Sequence, residues 1–411
     1  MHPEAQELNK TIDNPEIYEM LSRKGKEIYF PKKGIFTQTA EAKTTKLNAT
    51  IGIALEDDKT PMRLPSITKQ LITEPNVFTY ATSEGNKELR EAWKKRIQKN
   101  NPSLKNTTSL PIVTNGVTQA LFLAGYLFIK PGDKVIIADK HWENYDLMLE
   151  NYFDAKIQTY NTFKNEKLDL ESFEKEITGN KAIIILNFPN NPTGYTPTKE
   201  EAHKIAEIIK KKAENTRIIV ICDDAYYGLF YEDTFKESIF SLLADLHKNV
   251  LAIKTDGATK EDYVWGFRTG FITFSAKGIT ENTCKALEAK TAGAIRANIS
   301  NASNLSQNIL LKALNSSTYE QERQEKYKIL KERYEEVKKI LAKHPELKPL
   351  PFNSGYFLSI EAKDPEKTRQ KLIKEYETGT IAGNNILRIA YSCIPKKDIE
   401  KLFENINASK P

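Results

Sequence analysis

The sequence predicts an α/β fold, a large mostly parallel sheet followed by a smaller α+β domain. Three observations point there. Short, near-continuously apolar segments alternate with helix-length amphipathic ones from about residue 111, as when helices cover both faces of a sheet. At 411 residues the chain exceeds a single small core. Hydrophobic residues make up 39% and charged residues 28%, with no apolar run long enough to cross a bilayer.

The elements follow in order. "PIVTNG" reads as a strand leading into the helical "VTQALFLAGYLFI", and "KVIIAD" leads into "HWENYDLMLENYF". "KAIIILNFPNNPTG" precedes the helical "TKEEAHKIAEIIKKKAEN", and three more strands follow in "RIIVICDDAYYGL", "VLAIKTDGATK" and "GFRTGFITFS". Residues 317–344 read as one long helix with a Ser/Thr start. "GYFLSIEA" and "ILRIAYSC" then read as strands, separated by the helical "PEKTRQKLIKEYE". The expected division is an N-terminal arm and part of the small domain (1–74), a large domain (75–305) and a C-terminal small domain (306–411).

Composition excludes several classes. The net charge of +6 comes from 61 basic and 55 acidic residues. They are interleaved as on solvated helix faces, without the basic stripe nucleic acid requires. Five histidines show no ligand spacing, and Cys222, Cys284 and Cys393 form no C-x-x-C pair. Neither a metal site nor a disulfide framework is expected. The N-terminus lacks a charged leader before an apolar segment, so the expectation is a reducing, cytoplasmic setting.

Polar residues at the carboxyl ends of the strands are the ones to examine for a ligand site. At Gly116, Val117 and Thr118 a strand turns into a helix, and the backbone N–H groups face where an anion would bind. An ordinary strand-to-helix turn has the same pattern. Asn191 sits between prolines that fix its turn. Asp223 ends a very apolar strand, where a carboxylate needs a cationic partner, and Tyr226 follows three residues on. Asp224 is the better helix-cap candidate of the two acids. Trp142 offers a flat apolar surface, though a core or interface tryptophan is the default reading. Lys260 lies between a strand end and the aromatic "YVWGF"; a partly desolvated amine there has a lowered pKa and can attack a carbonyl. Arg268, eight positions later, carries the planar fork that suits a phosphate dianion. Taken singly, a lysine in a loop is an ordinary solvated residue.

In chain order these pieces resemble the class I, aspartate aminotransferase-like aminotransferases, which have fold type I of the pyridoxal 5′-phosphate enzymes. The resemblance extends from about residue 48 to the end and implies a seven-stranded, mostly parallel sheet. It assigns Lys260 as the Schiff-base lysine, Arg268 and Gly116–Thr118 to the phosphate, and Asp223 to the pyridine nitrogen. Tyr226 and Asn191 match the partners of the ring hydroxyl, and Trp142 matches the stacking aromatic. Tyr80, in "YATSEGNKELREA", matches a tyrosine that reaches the neighbouring subunit's phosphate, implying a homodimer. Arg388, in "ILRIAYS", matches the arginine for the substrate α-carboxylate. Arg296, in "IRANISN", resembles one that reads a distal carboxylate across the dimer; a plain interface arginine is the alternative.

Three departures bear on substrate. Gly257 stands where the family usually has a phosphate-binding serine, so Thr255 or Thr259 would substitute. Ala54 replaces a usual glycine near the substrate carboxylate, and Tyr145 replaces a common histidine. The implied activity moves an amino group between an L-amino acid, aspartate/glutamate or aromatic, and a 2-oxo acid. A carbon–sulfur β-lyase, a decarboxylase or a non-enzymatic cofactor-binding regulator are the alternatives on this fold.

Overall fold

The apolar runs form the strands of one central sheet in a computed structural model that describes residues 1–10, 12, 21, 26–27, 35–70 and 75–409. In chain order the strands begin with β1 (Leu47–Asn48), β2 (Ile112–Asn115), β3 (Lys134–Ala138), β4 (Lys156–Tyr160), β5 (Phe163–Lys164) and β6 (Lys167–Leu168). They continue with β7 (Lys181–Asn187), β8 (Arg217–Asp223), β9 (Val250–Gly257) and β10 (Thr269–Ala276). The last four are β11 (Phe357–Glu361), β12 (Thr378–Gly379), β13 (Ile381–Gly383) and β14 (Ile386–Ala390). The large sheet has seven strands in the order β2-β10-β9-β8-β7-β3-β4. All its neighbours run parallel except β10, which is antiparallel to both β2 and β9.

The strand period of two divides side chains between two cores. Ile183 and Ile185 join one cluster, with the helix Gly116–Phe128, while Ile184 and Leu186 join the other, with the helix Lys199–Ala213. That second helix opens on a capping box: Thr198 Oγ1 accepts from the Glu201 N–H at 3.2 Å, and Glu201 Oε2 accepts from the Thr198 N–H at 2.9 Å. The edge strand β4 was not expected from the sequence. Its "KIQTY" is only partly buried and carries no apolar run to read.

The second sheet, β11-β14-β13, is antiparallel; the helix Pro365–Tyr376 packs on it and on the helix Ile399–Ser409, which in turn meets Tyr319–Lys343. The long helix starts after Thr318, whose hydroxyl donates to Glu322 at 2.8 Å instead of capping the backbone. Chain from the N-terminal part joins this body: β1 pairs in parallel with β12. The buried Gln38 amide donates to Ala382 O at 2.8 Å and accepts from the Ala382 N–H at 2.6 Å. Among the described residues no helix is long and apolar enough to cross a membrane.

Candidate active site

The carboxyl ends of β7, β8 and β9 deliver Asn187, Asp223 and the Gly257–Lys260 turn to one cavity of about 450 Å³. Ligand sites form at such strand ends because adjacent crossovers leave an open crevice there.

One end of the cavity is an anion cradle. Gly116 has φ of 79°, a conformation glycine adopts freely, and it opens the helix whose Val117 and Thr118 line the cavity. Arg268 lies against it: a Cβ on Gly116 would meet Arg268 Nη2 at 2.4 Å. The Arg268 side chain makes no hydrogen bond or ion pair with a described residue, and it lines the cavity. Thr259 adds a buried hydroxyl with no partner among the described residues. Thr255 does not compete, because its hydroxyl donates to Cys222 O at 3.1 Å. Free backbone N–H groups, a guanidinium and a hydroxyl suit a phosphate.

A carboxylate stands at the ring side. Asp223 is buried, accepting from Tyr145 Oη at 2.5 Å and from the Ala225 N–H at 3.0 Å. Burial pushes its pKa up, and those two hydrogen bonds oppose the rise. Trp142 and Tyr226 supply aromatic walls, and burial raises the Tyr226 phenol. Asn191 is fixed by its own N–H to Asn187 Oδ1 at 2.8 Å. The neighbouring Asp224 is not a helix cap. Its carboxylate pairs with Lys254, since the alternation of the strand turns it away from the cavity.

Between cradle and carboxylate lies Lys260, on the short helix Ala258–Glu261. Its Nζ is 4.6 Å from the centroid of the Tyr226 ring. Burial pulls its pKa down to about 8; Asp223 resists the fall and Arg268 adds to it. Desolvation outweighs the carboxylate's attraction, so the amine is held close to its neutral, nucleophilic form.

Arg388 closes the far side. Its guanidinium donates to Asn191 Oδ1 at 3.2 Å and to Thr50 O at 2.8 Å, and lies 4.4 Å from the Phe357 ring centroid. Its buried Nε has no partner among the described residues. Thr39, Ile51, Gly52, Trp265 and Phe357 complete the lining. Of these, only Trp265 had a sequence signal, in the aromatic stretch after the lysine. Thr39, Ile51 and Gly52 reach the cavity through the pairing of the N-terminal chain with the C-terminal body, which no local pattern encodes.

Three expected residues lie elsewhere. Ala54 is fully buried outside the lining, because the turn before it presents Ile51 and Gly52 instead. Tyr80 is 89% exposed on the surface. Arg296 is exposed on the helix Glu281–Asn298, donating to Ser300 Oγ at 2.6 Å.

Comparison with known proteins agrees with this architecture. The sequence pattern of the family described as aminotransferase class I and II matches residues 44–406. A probable N-acetyl-LL-diaminopimelate aminotransferase of Bacillus subtilis is 27% identical over 72% of this chain and 70% of its own length. A probable aspartate aminotransferase of Methanocaldococcus jannaschii is 28% identical over 55% of this chain; the match spans only 56% of that relative. A crystal structure of an aminotransferase from Anaerococcus prevotii superposes with a TM-score of 0.86 at 23% identity, covering 95% of this chain and all of that one. With the family pattern running through both the cradle and the Arg388 strand, the chain belongs to the class I and II aminotransferases.

Proposed function

We propose that this chain is a pyridoxal 5′-phosphate-dependent aminotransferase acting as a homodimer on an L-amino acid and a 2-oxo acid. The observation that carries the proposal is the convergence of Lys260, Asp223, Arg268 and Arg388 on one cavity. The residues fit the cofactor. The unpartnered Thr259 hydroxyl, Arg268 and the Gly116–Thr118 turn suit its phosphate, Trp142 and Tyr226 suit its ring, and Asp223 suits its pyridine nitrogen. Bound there, pyridoxal 5′-phosphate supplies a conjugated cationic ring that stabilises negative charge at the substrate Cα.

The protein's own groups do the rest. Arg388 takes the substrate α-carboxylate, with Asn191 and the Thr50 carbonyl fixing the guanidinium plane. Lys260 Nζ would hold the cofactor, and its free amine would take the proton from the substrate Cα. Asp223 keeps a proton at the ring nitrogen, a charge-assisted contact worth roughly 1.5–3 kcal/mol. Residues 75–305 form the cofactor-binding body in this reading, and residues 1–74 with 306–411 form the substrate side. Tyr80 would reach the neighbouring subunit's phosphate, and Arg296 would reach its substrate's distal carboxylate.

A second reading of substrate has its own support. Ile51, Trp142, Trp265 and Phe357 give the cavity apolar walls suited to an aromatic side chain. Mixing the cofactor-loaded enzyme with single amino acids separates the two. Glutamate and aspartate should bleach the visible band, and Arg296→Ala should weaken them by roughly 10- to 100-fold, as expected on losing a charge-assisted contact. Bleaching confined to aromatic amino acids would overturn the dicarboxylate reading.

Lys260 also sets a pH dependence. With its pKa lowered to about 8, the neutral amine fraction grows as pH rises through about 8. An ordinary lysine would gain that fraction near pH 10.4. The rate of cofactor capture by the apoprotein, followed at the visible band, should therefore climb between pH 7 and 9 and level off. A rate still climbing severalfold between pH 9 and 10, as an ordinary lysine would give, would contradict the depressed pKa.

A further inference from the structure

Behind the cavity lies a buried ion cluster that the reaction does not use. Asp223 and Asp224 are adjacent, as are Lys260 and Glu261, and in each pair the first residue lines the cavity while the second faces the cluster. Lys254, on β9, is 1% exposed; its Nζ pairs with Asp224 and lies 3.3 Å from Asp256 Oδ2. Asp224 also accepts from Ser238 Oγ at 2.6 Å, and Asp256 accepts from Trp93 Nε1 at 3.2 Å. Arg96 holds Glu261 at 2.8 Å and Asp262 at 3.0 Å. Lys254, Asp256, Arg96 and Glu261 meet around one small cavity of about 10 Å³, so the two halves are a single cluster.

We infer that Lys254 and Arg96 are positioning residues, which hold Asp224 and Glu261 from behind the sheet and thereby set where Asp223 and Lys260 stand in the cavity. Stability alone does not account for such a cluster, since buried ion pairs are often replaceable by apolar residues of similar volume without loss. What the pairs add is direction: a carboxylate pinned on the far side leaves its chain neighbour little freedom to rotate or slide. Small displacements matter at a reacting centre, where about 1 Å can cost around 100-fold in rate.

The inference rests on the proposed cofactor chemistry, and its test separates the two. Lys254→Met alone strands two carboxylates and is expected to lower the Tm sharply. Asp224→Asn/Asp256→Asn/Lys254→Met removes the lysine together with the charges of both its carboxylate partners and serves as the folded comparison; Glu261→Gln, which keeps shape, probes the other end. Each is loaded with pyridoxal 5′-phosphate and measured for Tm, cofactor dissociation constant, the pH midpoint of the visible band, kcat and KM. The expected result for the triple variant is a near-parental Tm, a displaced band midpoint, weaker cofactor binding and a kcat lowered roughly 10- to 100-fold with little change in KM. Glu261→Gln should displace the midpoint with a smaller loss of kcat. If the folded triple variant and Glu261→Gln both keep the parental midpoint, affinity and kcat, the positioning role is wrong and the cluster is only structural. If the parent protein takes up no cofactor, it is the proposed function that fails.

Discussion

Lys260→Ala should take up pyridoxal 5′-phosphate without forming the visible band, and its turnover should fall by at least about 10⁴-fold. The side chain is asked to do two things, bind the cofactor covalently and carry the Cα proton, and alanine can do neither. The fold should tolerate the change, because removing an amine that burial already disfavours relieves a desolvation cost. An unchanged or raised Tm together with lost activity identifies the chemistry as the casualty. Borohydride reduction of the cofactor-loaded parent, followed by peptide mapping, should find the label at residue 260. A label elsewhere, or a variant retaining band and turnover, would refute the assignment.

Asp223→Asn is the second large effect. The amide keeps the carboxylate's shape: its oxygen can still accept from the Ala225 N–H, and its NH2, standing where Oδ2 was, can donate to a Tyr145 hydroxyl turned to accept. What disappears is a negative charge in a buried site, where its influence on a facing cation is far greater than in water. Losing one such preorganised group typically costs about 10²–10³ in kcat. KM for the amino acid should move little, because Arg388 and not Asp223 meets the carboxylate in this reading. A variant whose KM rose while kcat stayed constant would mean that residue 223 contacts substrate instead of ring.

The large sheet was legible because its central strands are apolar on both faces, so each announces itself over four to eight residues. The edge strand β4 has one half-exposed face and no such signature. The cavity was legible where its residues sit at strand ends or beside glycines, as with Asp223, Lys260 and Arg268. It was not legible where a side chain arrives from far along the chain. Tyr145 was visible as a departure, but its hydrogen bond to Asp223 joins residues 78 positions apart, and the Arg388–Asn191 bond spans 197. Asp224 reads as a helix cap and Lys254 carries no signal of its own until the register of β8 with β9 brings them together beneath the sheet.

The approach of β10 to the cradle carries a consequence for anyone diversifying this sequence. A Cβ on Gly270 would lie 2.5 Å from the Gly116 carbonyl carbon and 2.7 Å from the Val117 nitrogen. The two bare backbones touch there, and even a methyl group would wedge the antiparallel strand off the turn and carry the neighbouring guanidinium with it. The distance between the grip on the anion and the rest of the pocket is thus gauged by hydrogen atoms alone, and it is the dimension least open to retuning by exchanging side chains.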